Sequence, residues 1–273
     1  MRIAFGNWKY LFSNFWYVIV CGLIPAVYLA LSFDFTAFSF VLRSFLHGTP
    51  RVHFMELLCA FGPIRIDSIL GGVYTLLTYV LSSLFASLLL CLVEKHMRIG
   101  KRSFSGLGTE MKNLLGPTFL IILLFYALAE TAAIIVSAIM FWVFSIGTTA
   151  IVYLLCALAL VLVFFLFLYV FEAFYLWLPC LQITGFGPYH AFLYSYRLSM
   201  GVRWKLIGAH ALSIVVTVVI LGAMTFLPEL AFRGVAFVLC LFLYSSMFIR
   251  METVYFETDK LDREDIIKSY KEL

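Results

Sequence analysis

Six long, almost uninterrupted apolar runs constrain this chain more than any motif in it. They cover residues 15–32, 69–93, 117–144, 148–178, 204–227 and 231–249. A helix needs roughly 20 mostly apolar residues to cross the hydrocarbon core of a bilayer. Hydrocarbon offers no water to the backbone, so each run must bond its own N–H and C=O groups as a helix. None shows the period-two alternation of a membrane β-strand. The expected fold is therefore all-α, a polytopic bundle of six transmembrane helices forming a single integral membrane domain over residues 1–273. A soluble fold is a poor alternative. The chain is 64% hydrophobic and 12% charged, whereas soluble domains carry about 25% charged residues. Folded in water, it would expose apolar patches far above the few hundred Å² that soluble monomers tolerate.

Turn chemistry separates the runs. Gly147, Thr148 and Thr149 part the third from the fourth, Pro179 is expected to end the fourth, and Pro228 with Glu229 parts the fifth from the sixth. Pro117 is expected at the start of the third span, where a missing N–H has no intrahelical partner. The first run follows Arg2 and Lys9 in the manner of a signal peptide. Its length exceeds the roughly 7–15 residues of a cleaved apolar region, so it is read as a retained span.

Orientation follows from lysine and arginine placement. With both termini in the cytoplasm, four of the 19 basic residues, Arg43, Arg51, Arg65 and Arg233, fall outside and the other 15 inside. The net charge of +4 matters less than this asymmetry. The 33–68 segment is a long and rather apolar outer loop. Phe35, Phe38, Val41, Leu42 and Phe45 recur at near-helical spacing, as do Phe54, Leu57, Leu58 and Phe61. Two short interfacial helices are expected there, with a re-entrant hairpin as the alternative. The 252–273 stretch mixes both charges and is expected to be a solvated or interfacial cytoplasmic tail.

Spans one, three and five are each preceded by an amphipathic, mildly basic stretch, at 5–16, 103–117 and 189–204. This pattern suggests three copies of an interfacial helix plus a helix pair. Such helices would bury apolar side chains among acyl chains while their cations meet anionic headgroups. The expected inner-leaflet residues are Trp8, Lys9, Trp16, Arg98, Lys101, Arg102, Lys112, Arg197, Arg203, Trp204 and Lys205.

Within the third of these stretches, Ser195, Leu198, Gly201, Trp204, Lys205 and Leu206 form a short pattern. It resembles a signature of a large family of uncharacterised bacterial six-span integral membrane proteins. The segment Arg-Ile-Gly-Lys-Arg-Ser-Phe-Ser-Gly-Leu-Gly at 98–108 is similar to that family's link between spans two and three. The family is similar in layout to the membrane domain fused to some bacterial glycerophosphodiester phosphodiesterases. The resemblance implies a bacterial inner-membrane protein. It implies no activity, because the phosphodiesterase chemistry belongs to a soluble domain absent from these residues.

An ionisable group inside a span costs at least about 2.5 kcal/mol to insert, which makes each one a candidate functional residue. Glu130 falls midway along the third span and Glu172 near the inner end of the fourth. Glu172 is six residues before Leu178, and His210 is six after Trp204. At 1.5 Å per residue, both lie roughly 9 Å inside the cytoplasmic boundary. Equal depth allows a Glu172–His210 contact, and Gly208, Ala209 and Ala211 suggest close helix approach beside His210. For Glu130 the readings are a carboxylic acid satisfied by a neighbouring helix, or a group used in proton coupling or substrate binding.

No HExxH, GxSxG or CxxC motif occurs, and Gly100-Lys101 lacks the upstream glycine of a phosphate loop. The histidines lack metal-ligand spacing, and no cofactor is expected. Cys21, Cys59, Cys91, Cys156, Cys180 and Cys240 are scattered and read as small apolar residues. The basic inner loops are topology determinants rather than nucleic-acid sites. These features predict a non-enzymatic membrane protein. Its expected partners are membrane lipids, with a protein partner or a second copy as the alternative. The competing function is a transporter or permease subunit using Glu130.

Overall fold

The computed structural model describes residues 2–46, 53–65, 68–100, 106–146 and 150–259. All regular structure in them is helical. In chain order the helices are α1 (Arg2–Ser13), α2 (Phe15–Ser32), α3 (Phe35–Leu46), α4 (Phe54–Phe61), α5 (Ile69–Ile99), α6 (Leu107–Ile146), α7 (Ala150–Tyr175), α8 (Trp177–Thr184), α9 (Pro188–Met200), α10 (Arg203–Met224) and α11 (Glu229–Asp259). Six helical segments are long and apolar enough to cross a membrane: α2, α5, α6, α7 with α8, α10 and α11. The chain is a multi-pass membrane protein. Its outward face agrees: Leu154, Leu158, Leu162 and Leu166 form a column along α7, each more than half exposed.

Helix α11 is the staff of the bundle, packing against α1, α2, α5, α8, α9 and α10. Its closest neighbour is α2, and the reason is Gly22. A Cβ there would lie 2.6 Å from Ser245 Oγ and 2.9 Å from Leu241 Cδ1, so only a glycine lets the backbones come this near. The largest buried cluster occupies the end of the bundle that carries α1, α8 and α9, and includes Leu89, Leu90, Leu178, Ala191, Leu206 and Val254. Smaller clusters sit at the opposite end, where α3 and α4 pack over the spans. There Arg43 donates to the Thr225 carbonyl oxygen at 3.1 Å, tying α3 to the turn between α10 and α11.

Several boundaries differ from those expected. Pro179 does not end the fourth span. Its ring cannot follow Tyr175 in an unbroken helix, because it lacks the N–H and clashes with the carbonyl four residues back. The chain breaks one turn earlier, at Leu176, and restarts as α8 with Pro179 in its first turn, where proline is tolerated. Helix α8 then runs to Thr184, ended by Gly185 at φ +68°. Pro117 does not start the third span either. It lies inside α6, and Leu107 to Gly116 continue the same helix instead of forming a separate interfacial one. Burial of Leu107 and Leu114 in the main cluster holds that part in line. Of the three amphipathic stretches, the first and third are separate helices, α1 and α9.

The expected solvated tail is also displaced. Residues 252–259 complete α11 and are almost wholly buried, with Glu252 fully inaccessible. Met251, Val254, Tyr255 and Phe256 carry apolar packing past the first acidic residue, which outweighs the local charge. Residues 260–273 lie outside the described residues. Five of the six cysteines, all but Cys59, are buried.

Candidate functional site

All six spans contribute walls to one cavity of about 360 Å³. Leu29 comes from α2 and Phe33 from the residue that follows it, Ser82 from α5, Phe125 and Tyr126 from α6, and Phe167 and Phe171 from α7. His210 and Ser213 come from α10, and Tyr244, Met247 and Arg250 from α11. The wall is dominated by aromatic and aliphatic side chains. Pro63, in the turn after α4, contributes at the α3/α4 end. His210 and Arg250 lie toward the other end, the floor of the cavity.

Two helices build a buried pair at the floor, of which His210 lines the cavity and Glu172 does not. Glu172 sits on the last turn of α7 and is fully buried, while His210 on α10 is 7% exposed. His210 Nδ1 meets Glu172 Oε1; with its proton on Nδ1 the ring donates to the carboxylate. Phe171 and Tyr175 meet the imidazole edge-on, with centroids at 5.6 and 4.7 Å. The Tyr175 hydroxyl donates to the carbonyl oxygen of Met247, linking the pair to α11. Helix proximity at Gly208 is not what joins the two residues, since a Cβ there would meet nothing within 4 Å. The long side chains span the gap instead. Glu172 Oε2 and His210 Nε2 are buried and have no hydrogen-bond partner.

Arg250 completes the floor. It is 2% exposed, its Nε has no hydrogen-bond partner, and no ion pair reaches it among the described residues. In the sequence Arg250 counts merely as an inner-side charge. Its apolar neighbours Phe248, Ile249 and Met251 were the signal that the helix stays buried there.

Glu130 is elsewhere. Its Oε2 accepts from the Ile64 backbone N–H at 3.3 Å, and a Cβ on Gly62 would be 3.0 Å from that same oxygen. The turn after α4 therefore seats on this carboxylate. Nearby, Arg65 and Asp34 pair at 3.5 Å, and the Arg65 N–H donates to Thr75 Oγ1 at 3.1 Å. Ala129 lines the cavity and Glu130 does not.

The expected interfacial residues separate into two groups. Trp16 and Trp204 are 80% and 75% exposed, and Lys9, Lys112, Arg197 and Lys205 are also exposed. Trp8 is half-buried against Phe242, at 6.2 Å between centroids. Arg98 donates to Glu94 at 2.7 Å while staying largely exposed. Arg203 differs from these in being buried. Its guanidinium lies 4.8 Å from the Tyr169 ring and 4.6 Å from that of Tyr196, and it donates to Ser199 Oγ at 3.3 Å. Two aromatic faces thus replace water around a buried cation. Lys101 and Arg102 lie outside the described residues.

No grouping of His, Cys, Asp and Glu that could hold a metal ion occurs among the described residues. No family model matches the sequence, and neither a curated protein nor a solved structure matches it.

Proposed function

We propose that this is a lipid-binding protein of a bacterial inner membrane, which holds an apolar chain inside its six-helix bundle and performs no catalysis. The observation that carries the reading is the cavity: about 360 Å³, walled by all six spans, almost wholly apolar, with His210 and Arg250 among its few charged or titratable lining residues. Ligand sites are commonly concave, roughly 300–1,000 Å³, mostly apolar, with a few fixed polar groups that orient the occupant. A chain drawn from the bilayer suits such a wall better than a hydrated solute. Helices α1 and α9, with exposed Lys9, Arg197, Trp16 and Trp204 near them, serve in this reading as the cytoplasmic surface that meets inner-leaflet headgroups and a protein partner. The 15-to-4 division of basic residues supports placing that end in the cytoplasm.

The transporter alternative loses its main support with Glu130, whose carboxylate is engaged by Ile64 and does not line the cavity. The test is direct. Full-length protein extracted from its membrane should carry a co-purifying lipid detectable by native mass spectrometry. Ser213→Phe, which fills the cavity from α10, should remove most of it. Equal lipid content in both proteins would overturn the reading.

A further inference from the structure

Resting on that lipid-binding reading, we propose that the cavity is built for a single-chain amphiphile with an anionic headgroup. The head lies at Arg250 and the chain runs toward Phe33 and Pro63. The cations of the molecule set the argument. Arg98 has Glu94, Lys95 has Glu110 at 3.5 Å, Arg65 has Asp34, Arg233 has Glu229, and Arg203 lies between two tyrosine rings. Arg250 is 2% exposed, and it has no carboxylate within ion-pair distance among the described residues. A buried charge without a counter-charge is costly, and an incoming anion removes that cost.

The neighbouring groups do not supply the anion. Glu172 Oε1 is taken by His210, and the partnerless Oε2 makes no ion pair with Arg250. Glu252 is two residues further along α11, which turns it roughly 200° around the helix from Arg250. Arg250 is among the residues lining the cavity, and its guanidinium is a planar donor fork suited to a carboxylate or phosphate oxyanion. His210 Nε2, also partnerless, belongs to a second floor residue lining the same cavity.

Position and volume fix the rest of the ligand. Arg250 is the twenty-first residue after Glu229, so it sits about 32 Å along α11, one hydrocarbon thickness from its start. The lining on α11 extends back from Arg250 to Cys240, on the order of 15 Å, between apolar walls. A volume of about 360 Å³ is at the low end for ligand sites, which favours one chain over two.

Palmitate and hexadecanol share a chain and differ in headgroup charge, so they separate this inference from the reading beneath it. Their equilibrium binding to the detergent-solubilised full chain should differ by about tenfold or more in favour of palmitate, the effect of one charge-assisted contact. Arg250→Gln should erase that preference while leaving hexadecanol affinity unchanged, and Arg250→Lys should retain part of it. Equal affinity of the wild-type protein for the two probes overturns the anionic headgroup and leaves chain binding standing; this comparison needs no variant to fold. Failure of both probes to bind overturns the lipid-binding reading as well.

Discussion

Glu172 is fully buried, and its described protein contact is a single imidazole nitrogen. Removing one member of a buried ionisable pair leaves the other without compensation, which typically costs about 3–5 kcal/mol. His210→Ala should therefore lower stability by about 3 kcal/mol. Glu172→Leu combined with His210→Ala should cost clearly less than the two single changes added together. Reversible unfolding in mixed micelles measures all three. A strictly additive cycle would show that the pair is not coupled. This contact was legible in the sequence, because the depth of each residue follows from helix rise and the distance to the span end. Arg250 was not. A basic residue at the end of an apolar run is ordinarily a topology charge, and its burial depends on α1, α8 and α9 folding over that end. Those are long-range contacts, of which the apolar residues flanking Arg250 were only a local hint. Arg203 was hidden for a similar reason: its two tyrosines lie on different helices, 34 residues upstream and seven upstream.

Among the elements, the α2–α11 contact is the tightest and the most exposed to perturbation. Ser245 Oγ and Leu241 Cδ1 already occupy the space that a side chain at position 22 would take. Gly22→Val should force the helices apart and cost roughly 1–3 kcal/mol by overpacking. The check is a lower melting temperature in detergent, accompanied by increased proteolysis; a variant that melts with the wild type would refute the close contact. The existence and order of the six spans were legible, since hydrophobic length alone demands them. Their ends were less so. Leu107–Gly116 and 252–259 are amphipathic or charged by composition, yet they continue α6 and α11 because packing partners cover them. At Pro179 the local rule was right about a break and wrong about its place: the disturbance falls on the turn before the ring, at Leu176. Two short helices between the first and second spans were foreseeable from periodicity. The seating of their following turn on Glu130 was not.

For the whole molecule, the asymmetry of basic residues makes a prediction that the bundle itself does not contain. Fluorescent or enzymatic reporters fused after residue 106 and after residue 187 should report cytoplasmic locations. A reporter placed between 47 and 52 should report the opposite side. The reverse pattern would invert the proposed orientation while leaving the helix packing untouched. Lys112 and Lys205 lie on exposed surfaces, so replacing either singly should leave the fold intact.

The central position of α11 carries a consequence for biosynthesis. The ribosome releases the other five spans before the one that α2, α5 and α10 all lean on. Until Glu229–Asp259 has partitioned into the bilayer, those earlier segments wait as a loose ring with no hub. Insertion and assembly are thus separated in time, and the nascent protein must survive that interval in the lipid phase before its interior can close.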